Sequence, residues 1–281
     1  MPNPANGELQ WGKAHPKSSP STTPPPPARD LADVVAEIKR EHGDGVVLMV
    51  DQWLAIAKPS IPTGSREIDR LLGGGYPQGE LIELRGPARS GKTTLGLMAI
   101  REAQRFGVAV YVDGSMGFDI GQAEALGCDT STLLLVRPAS IEQAGQVIGA
   151  LVEARVHLVV FDGVCDLPPG EGTDAELAGT VSPRPREWSR LARKMSQILR
   201  DTSSTMLVLN QEVTDLAPPW PPRARTKTGN ALHYYASTRL RLERDPMTGA
   251  TLVTQLKGDG GALFRPISIL LQPSGLNVEG A

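Results

Sequence analysis

The residues with the most specific chemistry are consecutive: Gly86-Pro87-Ala88-Arg89-Ser90-Gly91-Lys92-Thr93. Glycine at both ends of a short run, closed by lysine and threonine, is the pattern of a phosphate-cradling loop. The glycines let the backbone curl so that its N–H groups point at phosphate oxygens. Lys92 supplies a point charge to the β and γ phosphates, and the Thr93 hydroxyl is placed to ligate Mg²⁺. Asp162 closes the apolar run 158–161. An acid in that place helps hold the same Mg²⁺. The plainer readings are an ordinary strand-turn-helix connection and a turn-forming Asp. Both give way because loop and acid share one alternating pattern of elements. The expected ligands are ATP and Mg²⁺.

Residues 80–84 read as a strand running into the loop, and Thr94 lies in the helix expected at 94–106. Strands at 108–112, 158–161 and 205–209 alternate with helices at 141–154 and 187–201. Such alternation predicts an α/β fold with a mostly parallel sheet covered by helices on both faces. Towards the end, 239–243, 251–255 and 266–270 read as antiparallel strands joined by Gly-containing turns. Ahead of the core, Asp30 caps a helix carrying Leu31, Val34, Val35 and Ile38, and the run 46–50 reads as a strand. Residues 1–29 are rich in Pro, Ser, Thr and Asn and read as a disordered tail. The expected division is therefore a tail at 1–29, a helix-strand element at 30–60 and an ATP-binding core at 61–281.

With 40% hydrophobic and 21% charged residues, the composition is that of a globular protein. A formal net charge of −2 does not advertise nucleic-acid binding, although a local basic face still permits it. No apolar run approaches the roughly 20 residues of a membrane helix, so no membrane is expected. Cys128 and Cys165 are too few for a disulfide framework and read as core residues in a reducing cytoplasm.

Ile61-Pro62-Thr63-Gly64-Ser65, the glycine loop with Thr94, Met195-Ser196-Gln197, Asn210-Gln211, Thr228-Gly229-Asn230-Ala231-Leu232 and Tyr235-Ala236-Ser237 occur in one order. Together they resemble the bacterial RecA family, recombinases that coat single-stranded DNA. The resemblance implies a RecA-type ATPase core and a role in DNA repair, recombination and the SOS response. It implies that Asp119 contacts adenine and that Gln211 senses the γ phosphate. It implies that Arg193, Ser196, Arg200, Gly229 and Asn230 touch DNA. Arg223, Arg225 and Lys227, near Trp220, add charge and an aromatic ring suited to single strands. The N-terminal element is similar to the one by which family members dock on neighbours. The partners it implies are single-stranded DNA and either further copies of the chain or a RecA recombinase. An ImuA-like partner of a translesion polymerase is one candidate within the family.

Three departures bear on activity. Ser115 stands where the family carries its catalytic Glu, leaving Asp113 as the nearby carboxylate. A serine hydroxyl is no general base near neutral pH without an activating partner. Lys257 is present, but Asp259 replaces the second of two lysines that reach a neighbour's ATP, and Gln122 replaces the aromatic that stacks on adenine. The sequence ends where the core sheet ends, so the family's separate C-terminal domain is expected to be absent. ATP binding with weak or no hydrolysis is the expectation. The alternatives are an interaction protein using ATP structurally and an active DNA-dependent ATPase rebuilt around Asp113.

Overall fold

A computed structural model describes residues 29–50, 59–168, 184–215, 223–226, 228–259, 263–272 and 275–276. The chain divides into two compact units, residues 1–57 and 58–281. The first holds α1 (Leu31–His42). The Asp30 carboxylate accepts from the Ala32 N–H at its start. Lys39, Arg40 and His42 sit in its last turn, where cations offset the helix dipole. Gly43 ends it at φ 92°, a conformation that costs glycine nothing. No residue of α1 is buried. The run 46–50, expected as a strand, is bend and irregular chain, with only Val50 in helical conformation. Its apolar residues lack a neighbouring strand among the described residues. Without a ladder, β propensity alone does not hold a strand.

The second unit carries the sheet. Its elements in chain order begin with β1 (Ser60–Ile61), α2 (Arg66–Leu72), β2 (Tyr76–Pro77), β3 (Leu81–Gly86) and α3 (Lys92–Ala103). They continue with β4 (Ala109–Asp113), α4 (Ile120–Ala125), β5 (Leu134–Val136), α5 (Ile141–Glu153), β6 (Leu158–Asp162) and α6 (Arg184–Thr202). After β7 (Thr205–Asp215) come β8 (Arg223–Thr226), α7 (Ala231–Tyr235), β9 (Thr238–Arg244), β10 (Thr251–Lys257) and β11 (Pro266–Ile269). The order across the sheet is β11-β10-β9-β3-β7-β6-β4-β5, with β8 paired to β7. From β9 to β5 every neighbouring pair on that path is parallel, and β10 and β11 are added antiparallel.

Alternate residues of each strand feed opposite faces. Leu158 and Val160 join a core with Leu95, Met98 and Ile100 of α3. Val159 and Phe161 join the other core, with Ile148 and Val152 of α5 and Leu191, Met195 and Leu199 of α6. Each fully buried side chain of this size contributes roughly 1.5–3 kcal/mol before entropy is counted. Burial on both faces explains why these strands read as continuous apolar runs.

One element extends beyond the sequence reading, and the three antiparallel strands expected at the end join the sheet through β9. The strand expected at 205–209 does not stop there: β7 runs on to Asp215 and pairs antiparallel with β8, Glu212 opposite Thr226 and Val213 opposite Arg225. The strand β9 is antiparallel to β10 but parallel to β3. Its entry through α7 brings the 228–235 segment back to the start of a parallel strand.

Candidate nucleotide site

The parallel strands bring four distant residues to one edge. Gly86 at the end of β3 lies in register with Gln211 on β7, and Asp113 at the end of β4 lies in register with Asp162 on β6. Ligands of open α/β sheets bind at the carboxyl ends of the strands, and this edge also carries the glycine loop.

The loop admits no bulk at its ends. A Cβ on Gly86 would fall 2.2 Å from the Leu242 carbonyl oxygen. Gly91 has φ +97°, and a Cβ there would meet Leu271 at 2.5 Å. Arg89 adopts φ 61°, a strained choice for a side-chain-bearing residue that turns the loop. Lys92 curls back over this arch: Nζ donates to the carbonyls of Pro87 at 2.7 Å and Gly86 at 2.9 Å. Burial draws its pKa down, opposed chiefly by the Asp162 carboxylate. The first turn of α3 has no side-chain cap. Its N–H groups are thus left to an anion.

Thr93 Oγ1 donates to Asp162 Oδ2 at 2.7 Å, and the Tyr111 hydroxyl donates to the same oxygen at 2.9 Å. The Gly163 N–H donates to Oδ1 at 2.8 Å. Burial, and then Asp162, push the Tyr111 phenol up, so it stays protonated and keeps donating. A threonine hydroxyl beside a held carboxylate is the hard oxygen set that Mg²⁺ takes, one or two protein oxygens with phosphate oxygens completing the shell. The residues present therefore fit Mg²⁺ with a triphosphate. They line one cavity of about 270 Å³, in which Lys92, Thr93 and Asp162 face Ser115, Gln211 and Asp166.

Other expected residues are placed differently. Asp113 is fully buried, outside that cavity's lining, and its oxygens accept from the Gly117 and Phe118 N–H groups and the Ser115 hydroxyl. Arg137 Nε lies 3.3 Å from its Oδ2. This carboxylate organises the turn after β4 and has little left for a water molecule. Asp119 caps α4 through the Gln122 N–H at 3.0 Å and does not line the phosphate cavity. Lys257, at the end of β10, donates to the carbonyl of Tyr234 at 3.1 Å, away from that cavity. Asp166 was not anticipated. The one signal for it was an acid on the turn that follows Asp162.

The DNA candidates split. Arg193, Ser196 and Arg200 share the outer face of α6, where Ser196 Oγ donates to the Arg193 carbonyl and Arg200 Nε to that of Ser196. Gly229 and Asn230 are not beside them but face the earlier turns of the helix. With Arg186, Ser189, Arg190 and Tyr234 they line a cavity of about 590 Å³. Helical spacing from Arg193 back to Ser189, Arg190 and Arg186 could have found this extension. Arg223 and Arg225 lie on β8, and Lys227 and Trp220 fall outside the described residues.

A buried polar chain joins the two regions. Glu83 on β3 pairs with Arg239 Nε at 2.6 Å and accepts from Asn210 Nδ2 at 2.6 Å. The same Asn210 amide donates to Thr228 Oγ1 at 2.9 Å, and Arg239 Nη1 meets His233 Nδ1 at 2.7 Å. Asn210 precedes Gln211, and Thr228 precedes Gly229, so this chain ties the phosphate edge to the start of α7.

Comparison with known proteins agrees with this architecture. The profile of the RecA N-terminal domain matches residues 29–254. Protein RecA of Prochlorococcus marinus strain NATL1A is 37% identical over 217 residues, 76% of this chain and 58% of that protein. Protein RecA of Salinispora arenicola is 33% identical over 267 residues, 90% of this chain and 76% of that protein. Protein RecA of Rippkaea orientalis is 35% identical over 226 residues, 79% of this chain and 65% of that protein. The chain spans about three fifths of the length of the first of these relatives. No helix among the described residues is long and apolar enough to cross a membrane.

Proposed function

The chain belongs to the RecA family, and from that premise we propose that it is an ATP- and single-stranded-DNA-binding protein of DNA repair and recombination, with weak or no ATP hydrolysis and an auxiliary or regulatory role. The observation that carries this reading is the Lys92–Thr93–Asp162 arrangement on a cavity whose nearest expected base, Asp113, is already bonded. Lys92 would leave its loop carbonyls for phosphate oxygens. Thr93 and Asp162 would hold Mg²⁺, which neutralises phosphate charge when bound. Gln211 would face the γ phosphate. The Asn210–Thr228 bond would pass its position to Gly229 and Asn230.

The deciding experiment measures ATP turnover with and without single-stranded DNA, beside a DNA titration across salt. Slow turnover and an affinity that falls steeply with salt are expected. Fast DNA-stimulated turnover would reject the auxiliary role, and salt-independent binding would reject phosphate tracking.

A second reading has its own observation. The apolar residues of α1 have no buried member, as a docking helix would have before its partner arrives. An interaction protein that modifies a RecA filament, or an ImuA-like partner of a translesion polymerase, would use this helix and hold ATP structurally. Single-strand affinity that survives loss of Arg223, Arg225 and Lys227 together would favour it.

A further inference from the structure

We propose that Asp166 is the general base of the nucleotide site, replacing the acid missing at Ser115. The proposal rests on the nucleotide reading above. Among the described residues, two carboxylates line the cavity that holds Lys92 and Thr93: Asp162 and Asp166. Asp162 is committed to Thr93, Tyr111 and the Gly163 N–H. The Ser115 hydroxyl donates towards Asp113, which already accepts from two backbone N–H groups and faces Arg137. Asp166 is exposed on the cavity wall, and its carboxylate has no hydrogen-bond or ion-pair partner among the described residues.

Its position is held from both sides. The Asp166 N–H donates to the Gly163 carbonyl at 2.9 Å, closing a tight turn behind Asp162. Cys165 and Leu167 on either side are buried, the cysteine thiol reaching Asn210 Oδ1 at 3.4 Å. Burying both neighbours leaves the side chain between them to the cavity. A carboxylate so placed has its lone pairs available for a water proton, which is what a general base needs.

In the step it would assist, the water oxygen forms a bond to the γ phosphorus while its proton passes to Asp166. The bond from the γ phosphorus to the β–γ bridging oxygen breaks, and ADP leaves with the electron pair. Asp166 then releases the proton to solvent. A lone carboxylate facing a triphosphate also repels it, which accords with slow turnover.

The test compares the full chain with Asp166→Asn and Asp166→Glu. Two quantities are read: ATP turnover at saturation, and affinity for the non-hydrolysable analogue AMP-PNP over a Mg²⁺ series. Asp166→Asn is expected to lower turnover on the order of a hundredfold or more. Analogue affinity and its Mg²⁺ requirement should stay within about twofold of the parent, since the base acts on water and the ligands are elsewhere. Asp166→Glu should retain part of the turnover. Parent-like turnover in Asp166→Asn overturns the proposal. So does a raised Mg²⁺ requirement, which would make Asp166 a metal ligand instead. A parent chain that binds AMP-PNP through Lys92 but shows no turnover sinks the base and spares the nucleotide reading. A parent chain that binds no AMP-PNP sinks both.

Discussion

Lys92 spends its ammonium on the carbonyls of Gly86 and Pro87, in a site buried enough to draw its pKa down. Phosphate oxygens would replace those neutral acceptors with charged ones, and a bond to a charged group is worth about 1.5–3 kcal/mol. Lys92→Ala is therefore expected to weaken ATP binding roughly tenfold to a hundredfold while leaving the thermal transition near the parent's. Equilibrium titration with a fluorescent ATP analogue reads the first and calorimetry the second. Glu83 and Arg239 pose the opposite case, a pair with almost no solvent. Removing one member strands the other charge, so Arg239→Ala should destabilise the fold by about 3–5 kcal/mol. Chemical denaturation checks this. A loss below about 1 kcal/mol would mean that Glu83 is satisfied by Asn210 alone.

The helix α6 does two jobs with its two faces. Trp188, Leu191, Met195 and Leu199 close the core, with Trp188 against Phe161. The outer face carries Arg186, Arg190, Arg193 and Arg200 in helical register. The first two stand with Gly229 and Asn230 on a cavity wall that includes no acid among the described residues. If this face tracks a single strand, each phosphate contact contributes about 0.7 to the slope of log affinity against log salt. Joint replacement of Arg186 and Arg190 by Ala should flatten that slope by about 1.4 and weaken binding. An unchanged slope, with the same result for Arg193 and Arg200, would remove α6 from the DNA face.

The two compact units have different needs. The second has a core on each sheet face and holds itself together. In the first, Val34, Val35 and Ile38 of α1 are only half covered. An uncovered apolar stripe on a capped helix gains by docking. Ile38→Asp is thus expected to lower the sedimentation coefficient at a given concentration, if copies of the chain associate through α1. The unfolding transition of the larger unit should not move. An unchanged coefficient would turn attention to a different protein as the partner of this helix.

What the sequence determined by itself was whatever depends on neighbours along the chain. The arch of Gly86–Lys92 is local backbone geometry, and the apolar runs announce strands buried on both faces, so the loop, the sheet and the place of Asp162 were all legible. The run 46–50 misled because strand propensity stands in for a pairing that must come from elsewhere. The tertiary structure decided which acids are available. Asp113 and Asp166 both follow strand ends in the sequence. Packing gives Asp113 to the Gly117 and Phe118 amides and to Arg137, and leaves Asp166 on the cavity wall. It also carried Gly229 and Asn230 to the start of α6, because β9 must enter beside β3 in parallel. Lone pairs and contact surfaces are shared out between residues far apart in sequence, and only the folded chain makes that allocation.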